Sequence, residues 1–277
     1  MNTASPSTLV ALADVKKSYF SGRVETPVLH RIDLTMAPGD FVAIMGQSGS
    51  GKSTLMNILG CLDKPSAGAY HLNGQAVADL DRAALAGLRN RTLGFVFQSF
   101  NLLSRMTLID NVALPLLYAR IPRAQARERA QAQLEKVGLG KLGARPPNQL
   151  SGGQQQRAAL ARALVADPPL ILADEPTGNL DTRTSNDIMH LLTSMNRERG
   201  QSIILVTHEP DIAAHAKRLV RLKDGLVLYD GPAREGLAQM QRDIVEETLA
   251  ESRDEEAHAT HAAQATTPPN TTQQVGA

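Results

Sequence analysis

At 277 residues, 42% of them hydrophobic, the chain is long enough to bury a full core and fits one large domain or a domain with a subdomain. Its 29 basic and 28 acidic residues leave a net charge of +1, so there is no general electrostatic footprint for nucleic acid, only room for a local basic patch. The single cysteine, Cys61, excludes an intrachain disulfide framework and a multi-cysteine zinc site, and suits a reducing compartment.

The N-terminal stretch, residues 1–8, is expected to be flexible, and Met1 to Pro6 has neither a basic region nor an apolar core of the kind a secretory signal needs. No apolar run approaches bilayer-spanning length, so any membrane role is expected to come through a partner chain. Leu9 to Val15 reads as a first strand, with Tyr19 at its end, where an aromatic ring could stack on an adenine face or simply pack. A polar loop containing Gly22 leads to a second strand, Val28 to Leu34, and Pro38-Gly39-Asp40 turns the chain into the apolar run Phe41 to Met45.

That run is followed by Gly46-Gln47-Ser48-Gly49-Ser50-Gly51-Lys52-Ser53 and then by the helical segment opening at Thr54. Strand, glycine loop and helix in this order match the phosphate-binding loop G-x-x-x-x-G-K-S. Its backbone N–H groups converge on phosphate oxygens at a helix mouth. Lys52 would sit against the β- and γ-phosphates of ATP, and the Ser53 hydroxyl would join a Mg²⁺ shell.

Beyond this helix, Ala69 to Val77 reads as a hairpin turning at Asn73-Gly74, Arg82 to Arg89 as a helix, and Leu93 to Phe97 as a strand ending at Gln98. From Ser99 to Gln149 the composition turns helical, with one helix opening at Ile121-Pro122-Arg123 and stopped by Gly138. Residues 99–153 are therefore expected to be an inserted helical subdomain. A helix from Gln154 to Val165 precedes Leu170-Ile171-Leu172-Ala173-Asp174-Glu175, an apolar strand presenting two acids at its carboxyl end. There Asp174 would hold Mg²⁺ and Glu175 would polarise the attacking water. A helix over Thr182 to Arg199, a strand Ser202 to Val206 ending at Thr207-His208, and a hairpin from Arg218 to Tyr229 turning at Lys223-Asp224-Gly225 complete the pattern.

The fold expected is α/β: a phosphate-loop NTPase core with a mainly parallel sheet, an antiparallel β subdomain and the helical insertion. The ATPase domain would span residues 9–232. Residues 233–277 would form a C-terminal helix, Arg234 to about Ala250, and a disordered tail in which His258 and His261 are solvated side chains.

Between the phosphate loop and Asp174 lies Leu150-Ser151-Gly152-Gly153-Gln154-Gln155-Gln156-Arg157. An S-G-G helix cap alone would be ordinary. L-S-G-G-Q in this place resembles the signature of the ATP-binding cassette ATPases, and the other landmarks of that family follow in order. Tyr19 resembles its A-loop aromatic, Gln98 its Q-loop, Asn179-Leu180-Asp181 its D-loop and His208 its switch histidine. The resemblance covers roughly Leu9 to Asp230. It implies that Gln98 and His208 join Lys52 and Glu175 as catalytic groups, and that Gln98 joins Ser53 and Asp174 at Mg²⁺. It also implies that Tyr19, Gly46 to Thr54, Ser151, Gly152, Gly153, Gln154 and Asp181 contact nucleotide. Ser151 and the amides of Gly152 and Gly153 at a helix start make a second anion site, and the resemblance implies that it serves the γ-phosphate held by another copy, in a head-to-tail homodimer.

The stretches Gly94 to Leu103, Asn111 to Leu116 and Ala173 to Asp181 are similar to the lipoprotein-releasing and macrolide-exporting group, whose ATPases power a separate integral membrane permease. That resemblance implies a peripheral position on the cytoplasmic side of the cell inner membrane, with no nucleic-acid partner. It leaves open a cell-division type of signalling ATPase, which uses the same engine. A soluble cassette acting on DNA or ribosomes is less favoured, because no coiled-coil insertion, second cassette or cysteine zinc module is present. Phe100, Leu102, Leu103, Met106 and Leu108 crowd after Gln98, either as the helical subdomain's own core or, for Phe100 and Leu103, as part of a groove for a permease helix. Cargo and direction of transport are not encoded in these residues.

Overall fold

The computed structural model describes residues 8–243 and 245. The chain divides into two units, Met1–Gly236 and Leu237–Ala277. The expectations for the first seven residues and for the tail with His258 and His261 lie outside the described residues. Residues 233–243 are helical, which covers the first part of the expected C-terminal helix. Among the described residues no helix is long and apolar enough to cross a membrane.

The first unit is built on one ten-stranded sheet in the order β5-β4-β1-β2-β10-β9-β3-β8-β7-β6, in which β10 (Leu226–Pro232) joins the two halves by pairing with β2 and β9. Strands β3 (Phe41–Gly46), β8 (Ser202–Val206), β7 (Leu170–Asp174) and β6 (Leu93–Phe97) run parallel to one another, and β9 (Arg218–Lys223) runs parallel to β3. The residues of β8 and the first four of β7 are all buried, as a strand covered on both faces requires, and this is why Ile203 to Val206 and Leu170 to Ala173 are apolar runs without alternation. The other half of the sheet is antiparallel: β1 (Val10–Ser21) pairs with β2 (Val24–Met36) and with β4 (Ala67–Leu72), and β4 turns into β5 (Gln75–Ala76) at Asn73-Gly74. Both turn residues have positive φ, the pairing a tight hairpin of right-twisted strands favours.

Two strands are longer than their alternation predicts. β1 continues to Ser21 and β2 begins at Val24, so the expected Gly22 loop is a tight turn at the tip of a long hairpin. The residues near that tip are exposed on both faces, which erases the alternation by which a half-buried strand is recognised. Helix α1 (Lys52–Leu59) buries Leu55, Met56, Ile58 and Leu59 in a core shared with β1, β2 and one face of the parallel strands. Helix α2 (Arg82–Thr92) starts at Asp81, whose carboxylate accepts the Ala84 N–H at 2.7 Å, and runs three residues past the expected Arg89.

The segment after β6 is irregular to Thr107, where the expectation was helical. Helices α3 (Leu108–Tyr118), α4 (Arg123–Lys136) and α5 (Gly152–Leu164) then share an apolar cluster of their own, with Leu108, Val112, Leu116, Ala130, Leu134 and Ala158 inside it. Leu108 is thus core and Leu102 packs against it, whereas Leu103 is about half exposed, at 49%. Helices α6 (Thr182–Arg199) and α7 (Pro210–Ala213) follow β7 and β8.

The irregular segment is fastened to this helical cluster by Asn111. Its fully buried amide accepts the Leu103 N–H at 2.7 Å and donates towards the carbonyls of Leu103, Met106 and Thr107 at 3.0–3.3 Å. Removing it strands several buried backbone groups, each costing about 1–3 kcal/mol. Asn111→Ala is expected to lower stability by roughly 2–4 kcal/mol in a denaturant titration. An unchanged midpoint would show that the segment satisfies itself without the clamp.

Candidate functional site

The parallel strands place the site through their register. Phe97 pairs with Asp174, Asp174 with Val206, and Val206 with Ile44, so β6, β7 and β8 end on one row that crosses β3 two residues before its own end. The residues just past that row are Gln98, Glu175, Thr207-His208 and Met45-Gly46, all at the carboxyl edge of the sheet, where open α/β sheets bind ligands.

The glycine loop leaves β3 at Gly46 and enters α1 at Lys52. Gly51, at φ 100°, caps the helix in a conformation closed to other residues, and a Cβ there would stand 2.7 Å from the Leu29 side chain. A Cβ on Gly46 would lie 2.4 Å from both the Leu222 carbonyl and the buried Ser50 Oγ, so the loop is folded tightly on itself. The Lys52 ammonium donates to the carbonyls of Gly46 at 2.7 Å and Gln47 at 2.8 Å, lying across the mouth of the loop. Burial lowers its pKa, with the negative charges of Glu175 and Asp174 opposing the shift. Asp174 responds in the opposite sense: burial and the neighbouring Glu175 raise its pKa, and Lys52 opposes them. The three groups therefore feel one another's charge.

Glu175 is a non-glycine residue in the left-handed region, at φ 43°. Such a conformation costs about 1–3 kcal/mol and persists only where the surroundings fix it. Here its N–H donates to the Val206 carbonyl at 2.8 Å, and its own carbonyl accepts the Gly178 N–H at 3.1 Å. The His208 Nδ1 lies 2.9 Å from Glu175 Oε1. Gln98 joins them through the next turn: the Asn179 amide donates to the Gln98 carbonyl at 3.0 Å, and Gly178 passes so close that a Cβ would meet Gln98 Nε2 at 2.6 Å. Lys52, Asp174, Glu175, Gln98 and His208 are thus tied into one edge, by charge, hydrogen bonds or contact.

Ser151 and Gln154 sit elsewhere, in a capping box at the start of α5, where Ser151 Oγ accepts the Gln154 N–H at 3.3 Å and Gln154 Oε1 accepts the Ser151 N–H at 3.1 Å. Gly152 and Gly153 pack on Leu180 and Thr184. Asp181 caps α6, accepting from the Thr184 N–H at 3.0 Å. None of these contacts reaches the glycine loop of the same chain. Tyr19, 41% exposed, donates its hydroxyl to Asp63 at 3.2 Å and has the Lys17 ammonium 4.9 Å from its ring centroid.

The family model for ABC transporters matches residues 29–178, more than half of the chain. The chain belongs to the ABC transporter family. The ATP-binding cassette is 51% identical over 236 residues to a macrolide export ATP-binding/permease protein MacB of Syntrophobacter fumaroxidans, an alignment covering 84% of this chain and 33% of that protein. It is 50% identical over 228 residues to an uncharacterised ABC transporter ATP-binding protein, YknY, of Bacillus subtilis, covering 82% of this chain and 97% of the relative. The cassette therefore spans about a third of the length of the macrolide-export relative. Among solved structures, a dimeric ATP-binding cassette in a post-hydrolysis state bound to ADP and Pi superposes with a TM-score of 0.75 and 43% identity, over 81% of this chain and 98% of that one.

Sequence motifs missed the supports of the cassette's site. Gln156, fully buried on α5, donates to the Pro176 carbonyl just past Glu175. At the other side, Gly225 donates its N–H to the Ser50 carbonyl of the glycine loop at 3.2 Å and accepts the His30 N–H at 3.0 Å. The D-G dipeptide signalled the hairpin turn between β9 and β10 (Leu226–Pro232) but not that the turn braces the phosphate loop. Gly225 has φ 73°, and a Cβ on it would stand 2.2 Å from the Val28 carbonyl. Gly225→Ala is therefore expected to push the turn off the loop and weaken ATP binding roughly 2- to 10-fold, the range of one lost hydrogen bond. Titration with a fluorescent ATP analogue checks this, and wild-type affinity would mean the loop holds its shape unaided.

Proposed function

We propose that this cassette binds and hydrolyses ATP between two copies of itself, arranged head to tail, and so powers a separate integral membrane permease from the cytoplasmic face of the inner membrane. The observation that carries the reading is the division of the candidate nucleotide-site groups within one chain. Lys52, Asp174, Glu175, Gln98 and His208 meet at one edge, whereas the hydrogen bonds of the Ser151 cap go to Gln154 on its own helix and to none of them. A second copy can supply its signature to the first copy's phosphate loop, and two-fold symmetry closes the arrangement. The dimeric form of a solved relative holding ADP and Pi supports it. The MacB relatives, named for macrolide export and for both ATP-binding and permease functions, support a mechanical role in export.

Within the site, the loop amides and Lys52 bind the phosphates, Tyr19 offers a ring to the adenine, and Glu175 accepts the proton of the attacking water. His208, at 2.9 Å, orients the Glu175 carboxylate. The donor set of Ser53 hydroxyl, Asp174 carboxylate and Gln98 amide oxygen suits Mg²⁺, a hard cation that takes oxygen ligands. Burial, and after it the neighbouring Glu175 charge, raise the pKa of Asp174, and a cation held by this carboxylate would favour its charged form. When bound, Mg²⁺ supplies charge neutralisation on the phosphate oxygens.

Two substitutions separate loading from closure. Lys52→Ala is expected to weaken ATP binding roughly 10- to 100-fold, the range for losing charge-assisted hydrogen bonds. Ser151→Arg is expected to keep ATP affinity within about threefold while abolishing hydrolysis, because Ser151 serves the other copy. If Ser151→Arg lost ATP affinity as severely as Lys52→Ala, the shared site would be wrong.

A further inference from the structure

The segment after Gln98 contains two successive non-glycine residues in the left-handed region, Phe100 at φ 60° and Asn101 at φ 50°. Each such residue is costly and needs an external restraint. The restraint is Arg162, on the last turn of α5. Its Nη2 donates to the Phe100 carbonyl at 2.8 Å and its Nη1 to the Asn101 carbonyl. Two consecutive carbonyls are thus gripped by one planar fork, a geometry that lysine cannot reproduce. The guanidinium is half-buried, and among the described residues no ion pair is seen for it. A partly desolvated cation that grips two main-chain oxygens fixes backbone shape.

That shape matters because the step at Phe100-Asn101 lies two residues from Gln98. The other side of Gln98 is already tied to the Glu175 turn by Asn179. We propose that Arg162 is a positioning residue for ATP hydrolysis: by holding the Phe100 and Asn101 carbonyls it fixes the left-handed step that keeps Gln98 at the catalytic edge. The inference rests on the role proposed above for Gln98. Arg162 also stands on the same helix as the signature, eleven residues and about 16 Å along the axis from Ser151. Movement of the signature towards another copy therefore carries the clamp, and with it Gln98. Gln156 adds a second tie on the same helix, to the loop that follows Glu175.

The test uses the full chain with Arg162→Met, which keeps the aliphatic stem and removes every donor, and Arg162→Lys, which keeps the charge. Arg162→Met is expected to lower kcat roughly 10- to 100-fold with the KM for ATP within about twofold, as misplacement of a catalytic group does. Arg162→Lys should fall between it and the wild type. Without ATP, hydrogen exchange over residues 99–103 should quicken at least about tenfold in Arg162→Met while β3 and α1 stay protected. In Gln98→Ala, adding Arg162→Met should cost almost nothing further, since both act through one group. Should Arg162→Met not fold, Arg162→Lys carries the same cycle. Near-normal kcat in Arg162→Met, or a full additional loss on top of Gln98→Ala, overturns this inference alone. Wild-type turnover in Gln98→Ala overturns the role of Gln98 and this inference together.

Discussion

Everything at the site depends on the register of four parallel strands. Because β6, β7 and β8 end on one row, which crosses β3 at Ile44, the residues just past that row on all four strands arrive at the same edge. A slip of one residue in β7 would turn Asp174 to the opposite face, and the acid pair would miss the glycine loop. That register is held by complete burial of apolar residues on both faces, Leu170 to Ala173 and Ile203 to Val206 among them. The core thus specifies the position of the chemistry, although none of its side chains takes part in it.

Around this rigid row the structure concentrates strain and polar fastening. Glu175, Phe100 and Asn101 are held in the left-handed region by hydrogen bonds from neighbouring elements. Asn111, Gln156 and Arg162 spend their donors on main-chain carbonyls of the connecting segments, not on each other. Such segments have two ways to respond when a neighbour moves: they follow it, or they lose several hydrogen bonds at once. This would be the physical content of coupling between the helical cluster and the proposed catalytic edge.

Much of this was legible in the sequence where the signal is contiguous. The glycine loop, the acid pair after an apolar run, the signature and the order of strands and helices all rest on neighbouring residues, and they stand in the structure where the pattern places them. The tip of the β1–β2 hairpin was not legible, since strands solvated on both faces show no alternation. Leu108 and Leu103 look alike in sequence, yet one is core and the other half exposed, because only the folded α3–α5 cluster decides which side faces inward. Arg162 reads as one more arginine on a polar helix; its partners lie 61 and 62 residues away. Gly225 was legible as a turn, but its hold on Ser50 depends on a contact between distant loops.

In the proposed head-to-tail dimer one chain carries only half of each ATP site. Glu175→Gln keeps the shape of the side chain but cannot accept the water proton, so bound ATP should persist and hold two copies together. Sedimentation velocity of this variant with and without ATP and Mg²⁺ separates a shared site from a self-contained one. A dimer is expected with nucleotide and a monomer without it; a monomer that binds ATP tightly and never pairs would show that each chain holds a complete site.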